Sequence, residues 1–329
     1  RQWSDAFILT EKSLDLARAI KADDIASQSA WQLGRILKEQ NRPFEAIEAY
    51  SEAVDSLQAL RSDLVAIAPD VQFSFRENVE PIYRELVSLL LVADDTTPGV
   101  KSNGQPSQKN LAKAREVVEA LQLAELDNFF QDACIDVESE QIDQVDTGAT
   151  VIYPIILPDR LAVIASTAGQ ALEYYSTPIS SDAVEATLQE LLSAIHPVSD
   201  NSYRLELSQQ VYDWLVRPAE DSKLMANTET MVFVLDGMLR NVPMAALHDG
   251  EQYLIEKYAV ALSPGLQLMS ARSLNQISTD AVVGGISEAR NGLSALPAVE
   301  AEINDIGNLI SADTLFNEEF TSEALARNV

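Results

Sequence analysis

The chain has 329 residues, 47% of them apolar and 22% charged, with 23 basic against 51 acidic side chains and a formal net charge of −28. That apolar fraction builds a buried core, which excludes a disordered acidic tail, and at ~150 residues per domain the length implies about two domains. One Cys and two His exclude an intrachain disulfide framework, supply a Cys/His zinc site poorly, and restrict any imidazole base to His196 or His248.

The N-terminus, Arg1 to Asp5, lacks the apolar run of a secretory signal and begins without Met, so the sequence reads as a piece of a longer chain. Residues 1–68 carry a net charge of −3 and read as helix throughout. Ala30, Leu33, Gly34 and Leu37 fall at the spacing of one buried helical stripe. A turn at Asn41-Arg42-Pro43 precedes a third helix that presents Ala46, Ile47, Tyr50, Ala53 and Val54, with Pro43 in its first turn.

Leu33-Gly34, Leu37, Ala46, Tyr50 and Ala53 resemble the tetratricopeptide (TPR) pattern of two packed helices, the alternative being an ordinary helical hairpin. A step of ~34 residues back from Tyr50 and Ala53 lands on Leu16 and Ala19, which would fill the same large and small slots. The same step from Ala46 meets Lys12, and Ala30 stands where the pattern has Trp, with Trp31 one place on. The expectation is one whole repeat plus the second helix of another.

Residues 69–150, net −10, read as a helical joining region. Val79, Ile82, Tyr83, Leu86, Leu89 and Leu90 make an apolar face. Either Ser74 with Glu77 forms a capping box or Asn78 caps the helix, the second leaving Pro81 in the first turn. The run Leu86 to Ala93, broken by Ser88, is far below the ~20 residues that span a bilayer. A polar loop over 94–108 precedes a helix from about Lys109 to Phe130, with Leu111, Ala114, Val118, Leu121 and Ala124 on one face.

Residues 151–329, net −15, change pattern. Val151 to Leu157 and Arg160 to Ala165 predict two strands joined by a turn at Pro158-Asp159, and Ala171 to Tyr175 a third. Helices are predicted over 180–195 and 203–216. Strands follow at Thr230 to Leu235, Tyr258 to Leu262 and Ala281 to Val283. A helix from Pro297 to Ile310 leads to a strand at Thr314 to Phe316, and Thr321 caps a last helix. Strands alternating with helices imply an α/β layered domain with a partly parallel sheet. The sequence stops inside that last helix, so the domain is expected to be incomplete.

Val232-Phe233-Val234-Leu235-Asp236-Gly237-Met238-Leu239-Arg240-Asn241-Val242-Pro243-Met244-Ala245-Ala246-Leu247-His248-Asp249-Gly250 resembles the start of a CHAT domain. Tyr253 to Val260, Ser263 to Leu266, Leu296 to Glu302 and Phe316 to Thr321 continue the likeness, and the stretch from Phe75 resembles the join between TPR and CHAT parts in cyanobacterial members. The resemblance implies a caspase-type α/β fold and a cysteine peptidase working through a His and a Cys, the thiolate attacking a peptide carbonyl with the His as base and then acid. Neither family string, His-Ala-Thr-His-Gly or Ser-Ala-Cys-Gln, occurs here, and both are expected beyond Val329. The fold expected is therefore α plus α/β: TPR-like helices over 1–68, a helical join over 69–150, and part of a caspase-like domain over 151–329.

Cys134 lies among carboxylates that oppose thiolate formation and reads as a helix-packing residue. His196 follows a helix, and His248 sits at a turn away from the family's catalytic position; both read as structural. Asp236, Arg240 and Asn241 follow a strand's C-terminal end, where α/β sites gather, and are the substrate-binding candidates; a plain turn is the alternative. Gly284-Gly285 lacks the rest of any phosphate-loop pattern and reads as a tight turn or close backbone approach. On the Gly34 register, Gln28, Trp31, Arg35 and Lys38 line the surface that would meet a protein or peptide partner, Arg35 and Lys38 suiting an acidic one; a helix face that is solvated or covered by a neighbouring repeat is the alternative. Neither cofactor nor metal is expected. Nor is nucleic acid, given the acid excess, or a membrane, and a lone thiol suits the reducing cytoplasm.

Overall fold

The computed structural model describes residues 2–67, 78–92, 105–130, 148–195, 201–222, 224–263, 281–290, 292–309 and 312–328. Two units are distinguished, Arg1–Ser270 and Ala271–Val329. The architecture is α plus α/β, with a mixed sheet.

Three antiparallel helices open the first unit: α1 (Gln2–Ile20), α2 (Asp23–Glu39) and α3 (Pro43–Ile67). Asn41 adopts a left-handed φ of 58° in the α2–α3 turn, and Pro43 starts α3 as expected. Gly34 is a close-approach glycine: a Cβ there would lie 2.6 Å from the Tyr50 ring. The step of ~34 residues does not hold in space. Leu16 is 64% exposed, whereas Leu14 and Ala17, 36 residues before Tyr50 and Ala53, are buried. The turn between α1 and α2 sets α1 two residues out of that register.

Helices α4 (Glu80–Leu90) and α5 (Gln108–Phe130) follow. Pro81 sits in the first turn of α4, but Val79 holds the cap position with no side-chain hydrogen bond, so Asn78 does not cap. Ser74 and Glu77 lie outside the described residues. On α5, Leu111, Ala114, Val118 and Leu121 are buried as the periodicity predicts.

Five strands form one sheet in the order β3-β2-β1-β4-β5: β1 (Ala149–Ile156), β2 (Leu161–Thr167), β3 (Glu173–Thr177), β4 (Thr230–Val234) and β5 (Ala259–Ser263). The β1–β2 and β2–β3 pairs are antiparallel; β4 runs parallel to both β1 and β5. The crossover from β3 to β4 carries α6 (Ser181–Ala194), α7 (Asn201–Leu215) and α8 (Arg217–Asp221). A one-turn helix, α9 (Leu254–Lys257), precedes β5.

Every residue of β1 and β2 is buried, because each face has its own cover. Val151, Tyr153 and Ile155 face the core shared with α1 to α5, while Ile152, Val163 and Phe233 face the core shared with α6 and α7. The unbroken apolar run from Val151 to Leu157 is thus a strand between two helical layers. Pro154 is tolerated within it for a local reason. Leu157 N–H closes the β1–β2 hairpin on Arg160 O at 2.9 Å, while Ile156 N–H points the other way, to Asp236. Pro154 turns its nitrogen to that same side, beyond the last β1–β4 pair, Ile152–Phe233, so no ladder bond is lost.

In the second unit, β6 (Ala281–Gly285) and β7 (Ala312–Phe316) pair in parallel through α10 (Ala298–Leu309), and α11 (Ser322–Asn328) follows. Ala324 N–H donates to Thr321 Oγ1 at 3.1 Å, the expected cap. Gly285 marks a close approach, since a Cβ there would lie 2.4 Å from Ile303 Cδ1.

Candidate functional site

The C-terminal ends of β1 and β4 carry a cluster of polar side chains on the α4–α5 side of the sheet. Asp236, directly after β4, is 3% exposed. Its carboxylate receives a two-pronged bond from Arg84 of α4, Nη1 to Oδ2 at 2.7 Å and Nη2 to Oδ1 at 2.9 Å. Ile156 N–H donates to Oδ2 at 2.9 Å. Arg84 also donates to Ile156 O at 3.1 Å and to Glu80 Oε1 at 2.6 Å. Strand β4, strand β1 and helix α4 therefore meet in one buried ion pair. Burial disfavours the Arg84 cation, but Asp236 and Glu80 outweigh that, and the guanidinium stays charged.

Arg240 donates from Nε to Leu235 O at 3.0 Å and pairs with Glu125 of α5. Burial pushes the Glu125 carboxyl above the usual carboxylate range, and Arg240 only partly offsets that. Gln122 reaches the same carbonyl, Leu235 O, at 3.2 Å, and its own Oε1 has no partner among the described residues. The structure thus brings Asp236 and Arg240 together at a strand end and commits both to internal partners. Asn241, at the end of the following 3₁₀ turn, is exposed.

Arg84, Gln122 and Glu125 escape sequence reading. Each lies on an amphipathic helix beside apolar positions, as a solvated residue would, and Arg84 is 152 positions from Asp236. A carboxylate directly after a continuous apolar run, Met231 to Leu235, is the one sequence signal that a cation must come from elsewhere.

Beneath the opposite face, Lys257 organises the approach to β5. Its Nζ lies 2.6 Å from Glu220, 3.0 Å from Asp249 and 2.8 Å from Tyr212 OH. Tyr258 OH donates to Glu220 at 2.9 Å; burial first and then that carboxylate push the phenol up to about 12. Asp249 Oδ1 accepts from both Glu251 N–H and Gln252 N–H at 2.8 Å. Burial raises the Asp249 carboxyl, but these amides and the Lys257 ammonium outweigh it and hold it well below the usual carboxylate range. His248 bridges to Tyr253 across this hairpin tip, and its Nδ1 accepts from Gly250 N–H at 3.0 Å. The Tyr253 ring packs edge-on against that imidazole, 4.9 Å between centroids; Cys134 and His196 lie outside the described residues.

On the helical surface, Gln28, Arg35 and Lys38 are exposed. Trp31 is half-buried, donating from Nε1 to Glu85 Oε2 at 3.2 Å, and the same carboxylate holds Tyr50 OH. Arg35 lies over the Trp31 ring, 5.3 Å from its centroid. Three of the four candidates thus stand open, and the fourth anchors α4 against α2 and α3.

Among the described residues no group of three His, Cys, Asp or Glu is placed to hold a metal ion, and no helix is long and apolar enough to cross a membrane. The match that bears on function lies in the C-terminal part of the chain. The CHAT domain family model matches residues 205–329. This CHAT match begins within α7 and includes β4, the 3₁₀ turn with Arg240 and Asn241, and the β6–α10–β7 unit. The match supports a CHAT domain in that part of the chain. No curated protein matches the chain.

Proposed function

We propose that the chain is the partner-binding and scaffolding part of a TPR-regulated CHAT-domain cysteine peptidase of cytoplasmic type. Residues 1–68 are its TPR-like helices, 69–150 the join and 151–329 CHAT-type α/β structure. The observation that carries this reading is the CHAT match over 205–329, which falls on strands alternating with helices. The family's His and Cys strings have no counterpart in these 329 residues. Residues 1–329 are therefore proposed to bind and not to cleave. A fluorogenic peptide library incubated with the chain is expected to show no turnover. Cleavage that disappears in Cys134→Ser would overturn the reading.

The second reading, a protein–protein interaction scaffold with a pseudo-peptidase domain, draws on the α2 surface. Arg35 and Lys38 are exposed and without an ion-pair partner among the described residues, in a chain of net charge −28. They suit an acidic peptide. Fluorescence anisotropy with a labelled Glu-rich peptide tests it: Arg35→Glu with Lys38→Glu should abolish binding, and unchanged binding would count against this surface.

A further inference from the structure

We propose that the cleft between α6 and α7 binds a small amphipathic carboxylate with a short apolar tail. The cleft has a volume of about 320 Å³. Its described walls are hydrocarbon: Leu191 of α6 and Ile195 just after it, Leu205 from α7, and Val242, Pro243 and Leu247 from the segment after β4. Several polar groups in those walls are already paired with one another. Ser208 Oγ donates to Ala246 O at 2.9 Å, Ala246 N–H to Pro243 O at 2.8 Å, and Leu254 N–H to Leu247 O at 2.7 Å. A wall whose donors and acceptors are used favours hydrocarbon over water.

The rim is different. Arg204 of α7 donates from Nη2 to Tyr253 OH at 3.3 Å and to Asn201 Oδ1. Its Nε and Nη1 have no acceptor, and no carboxylate pairs with it, among the described residues. Tyr253 OH accepts from Arg204 and keeps its own proton to donate. A guanidinium edge and a phenol O–H thus stand over an apolar cavity, which fits an anionic head on an apolar tail.

Size and chemistry narrow the class. At about 320 Å³ the cleft lies at the small end for a small-molecule site, which suits a short tail, as in octanoate, over a long one. A peptide segment would bring amide N–H and C=O groups against walls that have no partners for them. An amine would meet Arg204. The site does not depend on the peptidase reading.

Isothermal titration of the whole chain with a series from hexanoate to dodecanoate tests the proposal. One saturating site is expected, with affinity levelling off before dodecanoate and octylamine at least about tenfold weaker. Arg204→Gln should weaken octanoate about tenfold or more and leave octanol unchanged. Ala245→Phe, which fills the cleft, should remove both. Ile255→Glu places a carboxylate at a rim position that is 55% exposed, so it should remove octanoate binding without disturbing packing. An unchanged thermal midpoint without ligand confirms that variant's fold, so Ile255→Glu and Arg204→Gln decide the matter should Ala245→Phe fail to fold. Absence of saturable binding, affinity climbing steadily to dodecanoate as for adsorption on open surface, or octanoate binding unmoved by Arg204→Gln and Ile255→Glu would each overturn the proposal.

Discussion

Asp236 has three donors and almost no solvent, and that determines what its loss or Arg84's would do. Removing one member of a buried pair strands the other charge at a cost of about 3–5 kcal/mol. Arg84→Met is therefore expected to lower unfolding stability by about 3 kcal/mol or more in urea titrations. Asp236→Asn keeps an acceptor for Ile156 N–H and removes the stranded charge, so Arg84→Met with Asp236→Asn should be more stable than Arg84→Met alone. Strictly additive single effects would show that the pair is not coupled. Asp249 makes a pH-dependent counterpart. Its folded carboxyl sits below its unfolded value, so its contribution is fully present above about pH 4 and fades as pH falls further. Asp249→Asn should cost about 2 kcal/mol at pH 7, and the gap to the parent chain should close at lower pH. A gap of constant size from pH 7 to pH 3 would remove Asp249 as its source.

At the scale of elements, Gly34 and Tyr50 hold α2 against α3. An Ala in a helix is ordinarily favoured over Gly by about 1 kcal/mol, but here its Cβ would meet a ring that is fully buried and tied by its hydroxyl to Glu85. Overpacking of this kind costs about 1–3 kcal/mol. Gly34→Ala should lower the thermal midpoint, and in a Tyr50→Leu background the same change should be neutral or stabilising; a loss of equal size in both backgrounds would place the strain elsewhere. Elements of this kind were legible in the sequence because their causes are local. The helices, the β1–β2 hairpin and the strand at Thr230 all follow from periodicity and turn residues. Register between α1 and α3 was not legible, since it depends on a turn whose geometry the apolar pattern does not encode, and burial chose Leu14 over Leu16. The candidate site was legible by half. Asp236 and Arg240 stand at a strand end as expected, but Arg84, Gln122 and Glu125 come from helices whose placement on the sheet is set by long-range packing. Trp31 reads as a surface ligand until α4 brings Glu85 to its indole.

For the molecule as a whole, the two units differ in how much they bury. In Arg1–Ser270 both faces of β1 and β2 are covered, and Ile152, Val163, Ile164 and Phe233 are fully buried. In Ala271–Val329 only Ile303 and Ala324 are buried among the described residues, and the sheet there is a single pair of strands. A two-stranded sheet is marginal on its own, and backbone hydrogen bonds with little apolar cover open at low free energy. The charge acts in the same direction, because residues 271–329 carry 3 basic and 9 acidic side chains and their self-repulsion weakens the folded state where little burial opposes it. Hydrogen exchange followed by mass spectrometry should separate the units. Amides of 149–156 and 161–167 are expected to exchange only through global unfolding, whereas those of 281–285 and 312–316 exchange at least about 100-fold faster through local opening. Equal protection of the two sheets would mean that the β6–β7 pair gains its stability from something other than the burial of its own side chains.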